Sequence, residues 1–355
     1  MERVSIRETL IVLVAIVVVG LVTVLVLSRD GAPPTRWRFE LGAPASAGPH
    51  LDGGFVYAAS EAGDVVALDA ATGEPRWRAT VEGTPRGLIR SDGSRIYFRT
   101  DEDQVLALDR THGGSVWQLF LAGGVNTPLL AGSWVVLASH SGEVIALDAA
   151  TGEEQWSADS GRTLRADPSL IGTGEDIVAV GDIGGRLHRF AVATGDRMGG
   201  EVVFGREFQG PPLQVADVTV IAPTPDVVAI TGDREAWRTT TGEPNRVPMV
   251  ARAGVLYVDA SPDLVAIDLA SGAVRWRYTS PAVVVTFGVG ERLAVAGMHT
   301  GEVHGIDLAT GERLWRYRTN ESVRGAPVID DATGLAYFAG LDGNVYAIEV
   351  GQAEE

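Results

Sequence analysis

One phrase recurs along this chain and constrains its fold more than any other feature. It appears as Ala67-Leu-Asp69-Ala-Ala-Thr72-Gly73-Glu-Pro-Arg-Trp77, of the form A-x-D-x-x-T-G-x-x-x-W. The form returns from Ala146 through Asp148, Thr151 and Gly152 to Trp156. Near copies run from Ala107 through Asp109 to Trp117, from Ala266 through Asp268 and Gly272 to Trp276, and from Gly305 through Asp307 and Gly311 to Trp315. Trp37 and Trp237 fall in phase, and a vacancy at Gly199 follows the copy carrying Thr194-Gly195. Successive intervals are then 40, 40, 39, 43, 38, 39 and 39 residues. Such a period, with turn signals between short apolar runs, is the spacing of four-stranded propeller blades.

Each repeat divides accordingly. In the second, strands are predicted over 84–90, 95–100, 104–109 and 115–118, and most first strands begin beside a proline: Pro44, Pro85, Pro128, Pro168, Pro212, Pro248 and Pro327. A strand start spares the amide hydrogen that proline lacks. After Trp315 the chain supplies three more strands and stops without a tryptophan strand, whereas Thr35-Arg36-Trp37-Arg38 has the composition of an outermost strand. The termini are therefore expected to complete one shared unit. The fold class predicted is all-β, an eight-bladed propeller of four-stranded antiparallel blades over 36–350, with a C-terminal tail at 351–355.

The motif has a structural rationale. A small side chain such as Ala67 lets neighbouring blades approach, Asp69 and Thr72 can hold turn amides, Gly73 supplies a turn conformation, and Trp77 offers a large apolar face. Residues repeated in nearly every unit serve packing, so sites of function are expected where the pattern breaks. It breaks at 189–199, which lacks the aspartate and tryptophan, and at 229–237, which is two residues short.

Ahead of the repeats, after a tail at 1–8, residues 9–28 carry no charge and are mostly Val, Leu and Ile. As a helix they would span about 30 Å, the thickness of a bilayer core. A cleaved signal peptide has a shorter apolar region and a small-x-small site, so a retained single-pass anchor is expected, followed by a linker at 29–35. Charge flanking the segment does not settle its orientation.

Composition excludes several classes. The formal charge is −17, all of it from residues 29–355, which argues against nucleic acid as a partner. There is no cysteine, hence no disulfide framework, thiolate metal site, cysteine nucleophile or lipidated N-terminal cysteine. Hydrolase, metalloprotease, nucleotide-binding and dinucleotide signatures are missing from the sequence. His140 and His299 occupy matching turns of the third and seventh repeats, and Asp101-Glu102-Asp103 is an acidic run without a glycine-centred calcium loop; both are read as solvated turns.

The phrase A-x-D-x-x-T-G-x-x-x-W resembles the tryptophan-docking motif of pyrroloquinoline quinone (PQQ) repeat propellers, over nearly all of 36–350. The resemblance implies an eight-bladed ring outside the cytoplasm. One branch of that family comprises quinoprotein dehydrogenases, which hold PQQ and calcium and place a vicinal cysteine pair against the quinone; this chain has no cysteine. The other branch, BamB-like, consists of non-enzymatic scaffolds of envelope assembly. There a linker Leu-Arg pair contacts the partner, and Leu164 and Arg165 stand in a similar linker here. The expectation is a membrane-tethered, monomeric scaffold binding an envelope protein or polymer, with no cofactor. The alternatives are an oxidoreductase using PQQ with calcium and a sensor of a small solute.

Overall fold

The computed structural model describes residues 31–172, 174–200, 202–208, 210–223, 225–232, 234–242 and 249–351. The apolar segment 9–28, the tail 1–8 and residues 352–355 lie outside the described residues. Among the described residues no helix is long and apolar enough to cross a membrane.

Regular structure among the described residues is all strand, thirty-two in number. They form six four-stranded sheets and one of eight strands. The larger sheet is two four-stranded units joined by a parallel bridge between Ala47 and Gly87. The chain thus lays down units 1 to 7 over 45–80, 85–120, 129–159, 169–203, 213–240, 250–278 and 284–318. Unit 8 joins 323–349 to Thr35–Glu40. Within each unit the strands pair antiparallel, in sequence order in units 1 to 7.

Burial explains why the repeat reads as it does. In unit 2 the middle strands Arg95–Thr100 and Gln104–Asp109 are buried on both faces, because the sheet is covered on either side by its neighbours. The outer strand Ser115–Phe120 alternates, and Trp117 is its buried residue. Apolar clusters lie between consecutive units. Trp77, Leu106 and Tyr57 join units 1 and 2, and Trp37, Val66 and Tyr337 join units 8 and 1. This face-to-face succession of twisted sheets is a β-propeller.

The termini meet as expected. Thr35–Glu40 pairs antiparallel with Asn344–Glu349, Trp37 lies opposite Ala347, and the Glu349 amide donates to the Pro34 carbonyl at 2.9 Å. The strands of unit 2 begin or end within two residues of the sequence-based bounds. One proline needs correcting. Pro44, Pro128, Pro168 and Pro212 immediately precede first strands and Pro85 opens one, but Pro327 lies inside Val323–Asp330. The register there shifts between Arg324 and Val328, so a bulge rather than a strand start accommodates it. Pro248 lies outside the described residues.

Candidate functional site

The repeat motif builds junctions between units. Within its own unit each tryptophan pairs across the hairpin with the small residue of the motif: Ala67 with Trp77, Ala107 with Trp117, Ala146 with Trp156, Ala266 with Trp276. The indole then reaches the next unit. Nε1 of Trp37 donates to the Ala70 carbonyl at 2.9 Å, Trp77 to Arg110 at 2.8 Å, and Trp117 to Ala149 at 3.0 Å. Trp156, Trp237 and Trp276 donate to Val192, Leu269 and Leu308, each at 2.8 Å. Gly73, Gly113, Gly152, Gly195, Gly272 and Gly311 lie under these rings with φ between +71° and +75°, and a Cβ on any of them would come within 2.5–2.8 Å of an indole carbon. A tyrosine of the second strand supports the contact: Tyr97 and Tyr337 donate to the same Ala149 and Ala70 carbonyls.

The motif aspartates hold the receiving turn. Oδ1 of Asp69, Asp109, Asp148, Asp268 and Asp307 each accepts the amides two and three residues onward, at 2.8–3.2 Å. Arg76 beside Asp69, the Thr111 hydroxyl beside Asp109 and the Thr151 amide beside Asp148 hold those carboxyls below the ordinary range, and Arg275 takes Asp268 to about 2. All of this is architecture.

Among the described residues, two junctions lack the docked indole. Between units 4 and 5 donor and receiver are lost together: Gly199 stands for tryptophan, the Arg189 guanidinium lies beside it, and Thr231 pairs with Arg234 in a hairpin too tight for the D-x-x-T-G turn. Phe208 fills this junction instead, packed on Gly181 with Ile171, Ile221 and Ile230. Between units 7 and 8 the receiving turn cannot exist, because Asn344–Glu349 and Thr35–Glu40 come from opposite ends of the chain. The Trp315 Nε1 has no partner, and its ring folds over Gly305, where a Cβ would overlap it.

The first strands surround a cavity of about 570 Å³. Ser46, Gly87, Thr127, Asp167, His299 and Arg324 line it from units 1, 2, 7, 8 and the connections entering units 3 and 4. Asp167 accepts the Thr127 amide at 2.8 Å, and burial raises its pKa against the pull of that bond and of Arg99 and Arg90. Burial likewise lowers the pKa of Arg90 and Arg99, yet guanidinium remains charged at neutral pH. His50 and His140 are lowered by burial and then by Arg90 and Arg99 respectively, so both are neutral near pH 7. Sequence reasoning missed this group. Its signal was a break in phase: Arg99 stands where units 1 and 8 carry Ala59 and Ala339.

The linker 163–167 is split by the fold. Leu164 is 0% exposed, in the core between units 3 and 4, and its backbone bridges to Asp182. Arg165 is exposed, and the Ile183 amide donates to the Thr163 carbonyl at 3.2 Å, which places the exposed Ile183 beside the linker. His299 lines the cavity, whereas His140 lies near Asn126 at 3.3 Å. Asp101 accepts the Thr84 amide at 2.6 Å and pairs with Arg86, and Asp103 accepts the Gly123 amide. Among the described residues no three His, Asp or Glu gather to hold a metal, and the cavity lining has no Phe, Tyr or Trp to stack on a quinone. These residues do not fit PQQ with calcium.

A family model described as outer membrane protein assembly factor BamB matches residues 23–119, 82–278 and 280–355. BamB from Moraxella catarrhalis superposes with a TM-score of 0.73 at 18% identity, over 92% of this chain and 100% of that one. Quinohemoprotein alcohol dehydrogenase from Comamonas testosteroni does so with 0.69 at 14% identity, over 92% and 79%. These likenesses are of fold. The serine/threonine-protein kinase AfsK of Streptomyces griseus is 48% identical over 60 residues, 15% of this chain, and the chain spans 7% of that relative's length.

Proposed function

The chain belongs to the BamB family of PQQ-like repeat β-propellers, and on that premise we propose a non-enzymatic scaffold. Its eight units are the eight blades of one closed ring, the apolar segment 9–28 tethers it to a membrane, and it binds an envelope protein or polymer. It works as a monomer and uses no cofactor.

The observation that carries this reading is where the repeat is abandoned. In unit 4 the outer strand shrinks to Val202–Val203, and Ile183 and Val203 are 48% and 52% exposed. Val203 pairs with Arg186, at the end of the turn that begins at the bridged Asp182. Apolar side chains thus reach solvent beside Arg165, at the linker. Exposed apolar groups next to an arginine are typical of protein contacts. A partner meets Arg165 and Ile183 here, and Leu164 positions the linker from within.

A photo-crosslinking residue at Ile183 of the full chain in its membrane is expected to trap one discrete partner, lost on Arg165→Glu while the fold persists. The same species trapped equally from exposed Val274, on another unit, would reject this surface. Calorimetric titration of the full chain with PQQ, with and without calcium, tests the oxidoreductase reading. No binding is expected, and saturable calcium-dependent binding would overturn the scaffold.

A further inference from the structure

Seven of the eight tryptophans keep the period of the repeat, and Trp134 does not. It opens Trp134–Ala138, the second strand of unit 3, at the position that Arg95 holds in unit 2. Two residues further on, units 1, 2, 6 and 8 set a tyrosine opposite the small residue of the motif: Tyr57 with Ala67, Tyr97 with Ala107, Tyr257 with Ala266 and Tyr337 with Ala347. Unit 3 sets Val136 opposite Ala146, and units 5 and 7 carry Val220 and Val295 there. The junction of units 2 and 3 shows what the tyrosine does. The Tyr97 hydroxyl lies 2.7 Å from Asp92 Oδ2 and 3.0 Å from the Ala149 carbonyl, which also accepts the Trp117 Nε1.

At the junction of units 3 and 4 that group is replaced throughout. Val136 stands for Tyr97, Ala131 for Asp92 and Trp134 for Arg95, and Ala131 and Trp134 face each other across the hairpin as Asp92 and Arg95 do. The Val192 carbonyl takes the place of that of Ala149, and among the described residues it accepts a side-chain bond from Trp156 alone. A cavity of about 630 Å³ lies here, lined by Ala131, Trp134, Val192 and the exposed Met198. Val136 belongs to the apolar cluster against which Trp134 and Val192 pack, so the side chain that falls short of a tyrosine adjoins this space. The exposed carboxylates Glu175 and Asp176 also line it, and neither has an ion pair among the described residues. Their turn is tied to Val192, whose amide donates to the Asp176 carbonyl at 2.8 Å.

We propose that this cavity receives the tyrosine side chain of a partner protein, carried on a basic segment. The chain itself shows that a phenol fits such a junction, since Tyr97 and Tyr337 fill the corresponding places and share the Ala149 and Ala70 carbonyls with an indole. A carbonyl oxygen has two lone pairs, so that of Val192 can accept a second donor beside Trp156. Trp134 supplies an aromatic ring for the incoming one, and Glu175 and Asp176 complement cationic neighbours of the tyrosine. The turns of this cavity lie at the opposite ends of Ile177–Gly181 and Arg186–Ala191 from the linker, which meets the turn after Gly181. The two surfaces are separate, and either can fail without the other.

The test is saturation-transfer NMR on the purified full chain in detergent, with the acetylated and amidated tripeptide arginine–tyrosine–arginine as probe. Saturable binding is expected, with the tyrosine ring protons receiving the strongest transfer. Leucine in place of the tyrosine should weaken it about tenfold or more, as loss of an aromatic anchor and its hydrogen bond requires. Val136→Tyr supplies the missing ring from within, as units 1, 2, 6 and 8 do, so it should melt above the parent and no longer bind the tripeptide. Glu175→Gln combined with Asp176→Asn should weaken the tripeptide several-fold, most clearly at low salt. No binding by a folded sample overturns the proposal, as does undiminished binding by folded Val136→Tyr. If that variant does not fold, equal binding of the leucine tripeptide overturns it. p-Cresol bound as tightly as the tripeptide would make this a site for a free phenol and overturn the docking of a partner.

Discussion

The junction between units 1 and 2 and that between units 4 and 5 solve the same packing problem by different means. At the first, Trp77 crosses from an outer strand, lies on Gly113 and donates to Arg110, so the two sheets are pinned at their rim. At the second, the rim has neither indole nor receiving turn, and Phe208 fills the space further in. Losing the tryptophan and its turn together teaches that they form one device: a Trp without a turn has an unpaired Nε1, as Trp315 demonstrates.

The largest effect that separates the two kinds of junction should come from Trp77→Ala. It removes a buried ring and its hydrogen bond, at a cost of about 3–5 kcal/mol in equilibrium denaturation. Trp315→Ala, which breaks no Nε1 bond, should cost about 1 kcal/mol less, the net value of such a bond. Equal losses would show that the bond is immaterial and that area alone decides.

A smaller contrast lies in the glycines. Gly113→Ala forces a Cβ into Trp77 at positive φ, whereas Gly232, at φ +61°, has open space around its Cβ position. Gly232→Ala should therefore cost about 1–2 kcal/mol, the conformational term alone, and Gly113→Ala visibly more. Thermal melts of the two variants would check the order.

Acid should erode the docked junctions selectively. Asp69, Asp109, Asp148 and Asp268 have depressed folded-state pKa values, so their stabilisation is complete above the unfolded value near 4 and is lost as pH falls toward about 2, where Asp268 titrates. Unit 4 carries Ala191 at this phase, so its turn has no motif carboxylate to lose, and its Asp182, held down against burial by the Arg186 amide and His188, adds a separate loss. Desolvation lowers half-buried His50 and His140 and buried His304, so they add an earlier decline as pH drops below about 6.5. Hydrogen exchange followed from about pH 5 down to about pH 2 should show the turns of units 1, 2, 3 and 6 losing protection and the Ala191 turn of unit 4 changing less.

Much of this was legible in spacing alone. The period of the tryptophans located the units, and Trp37 announced the shared one, because blade packing repeats the same short-range chemistry at each turn of the ring. Pro327 was misplaced because a bulge and a strand start spare the same amide. Leu164 could not be oriented from its linker, since a connection between units has no periodicity to say which side chain faces in. Arg99 was overlooked because attention to broken pattern fell on the outer strand, while the informative break lay one alanine phase inward, visible beside Ala59 and Ala339.

The pairing of Thr35–Glu40 with Asn344–Glu349 sets a schedule as well as a seam. Thr35–Glu40 must wait for a partner that lies seven units further along the chain, leaving Trp37 and the outer edge of unit 8 without their neighbour while the intervening units emerge. Completion of the ring is therefore a high-contact-order step in which the nascent chain carries an open β-edge until Asn344–Glu349 arrives. A chaperone that shields such an edge would act on this protein at that interval and at no later one.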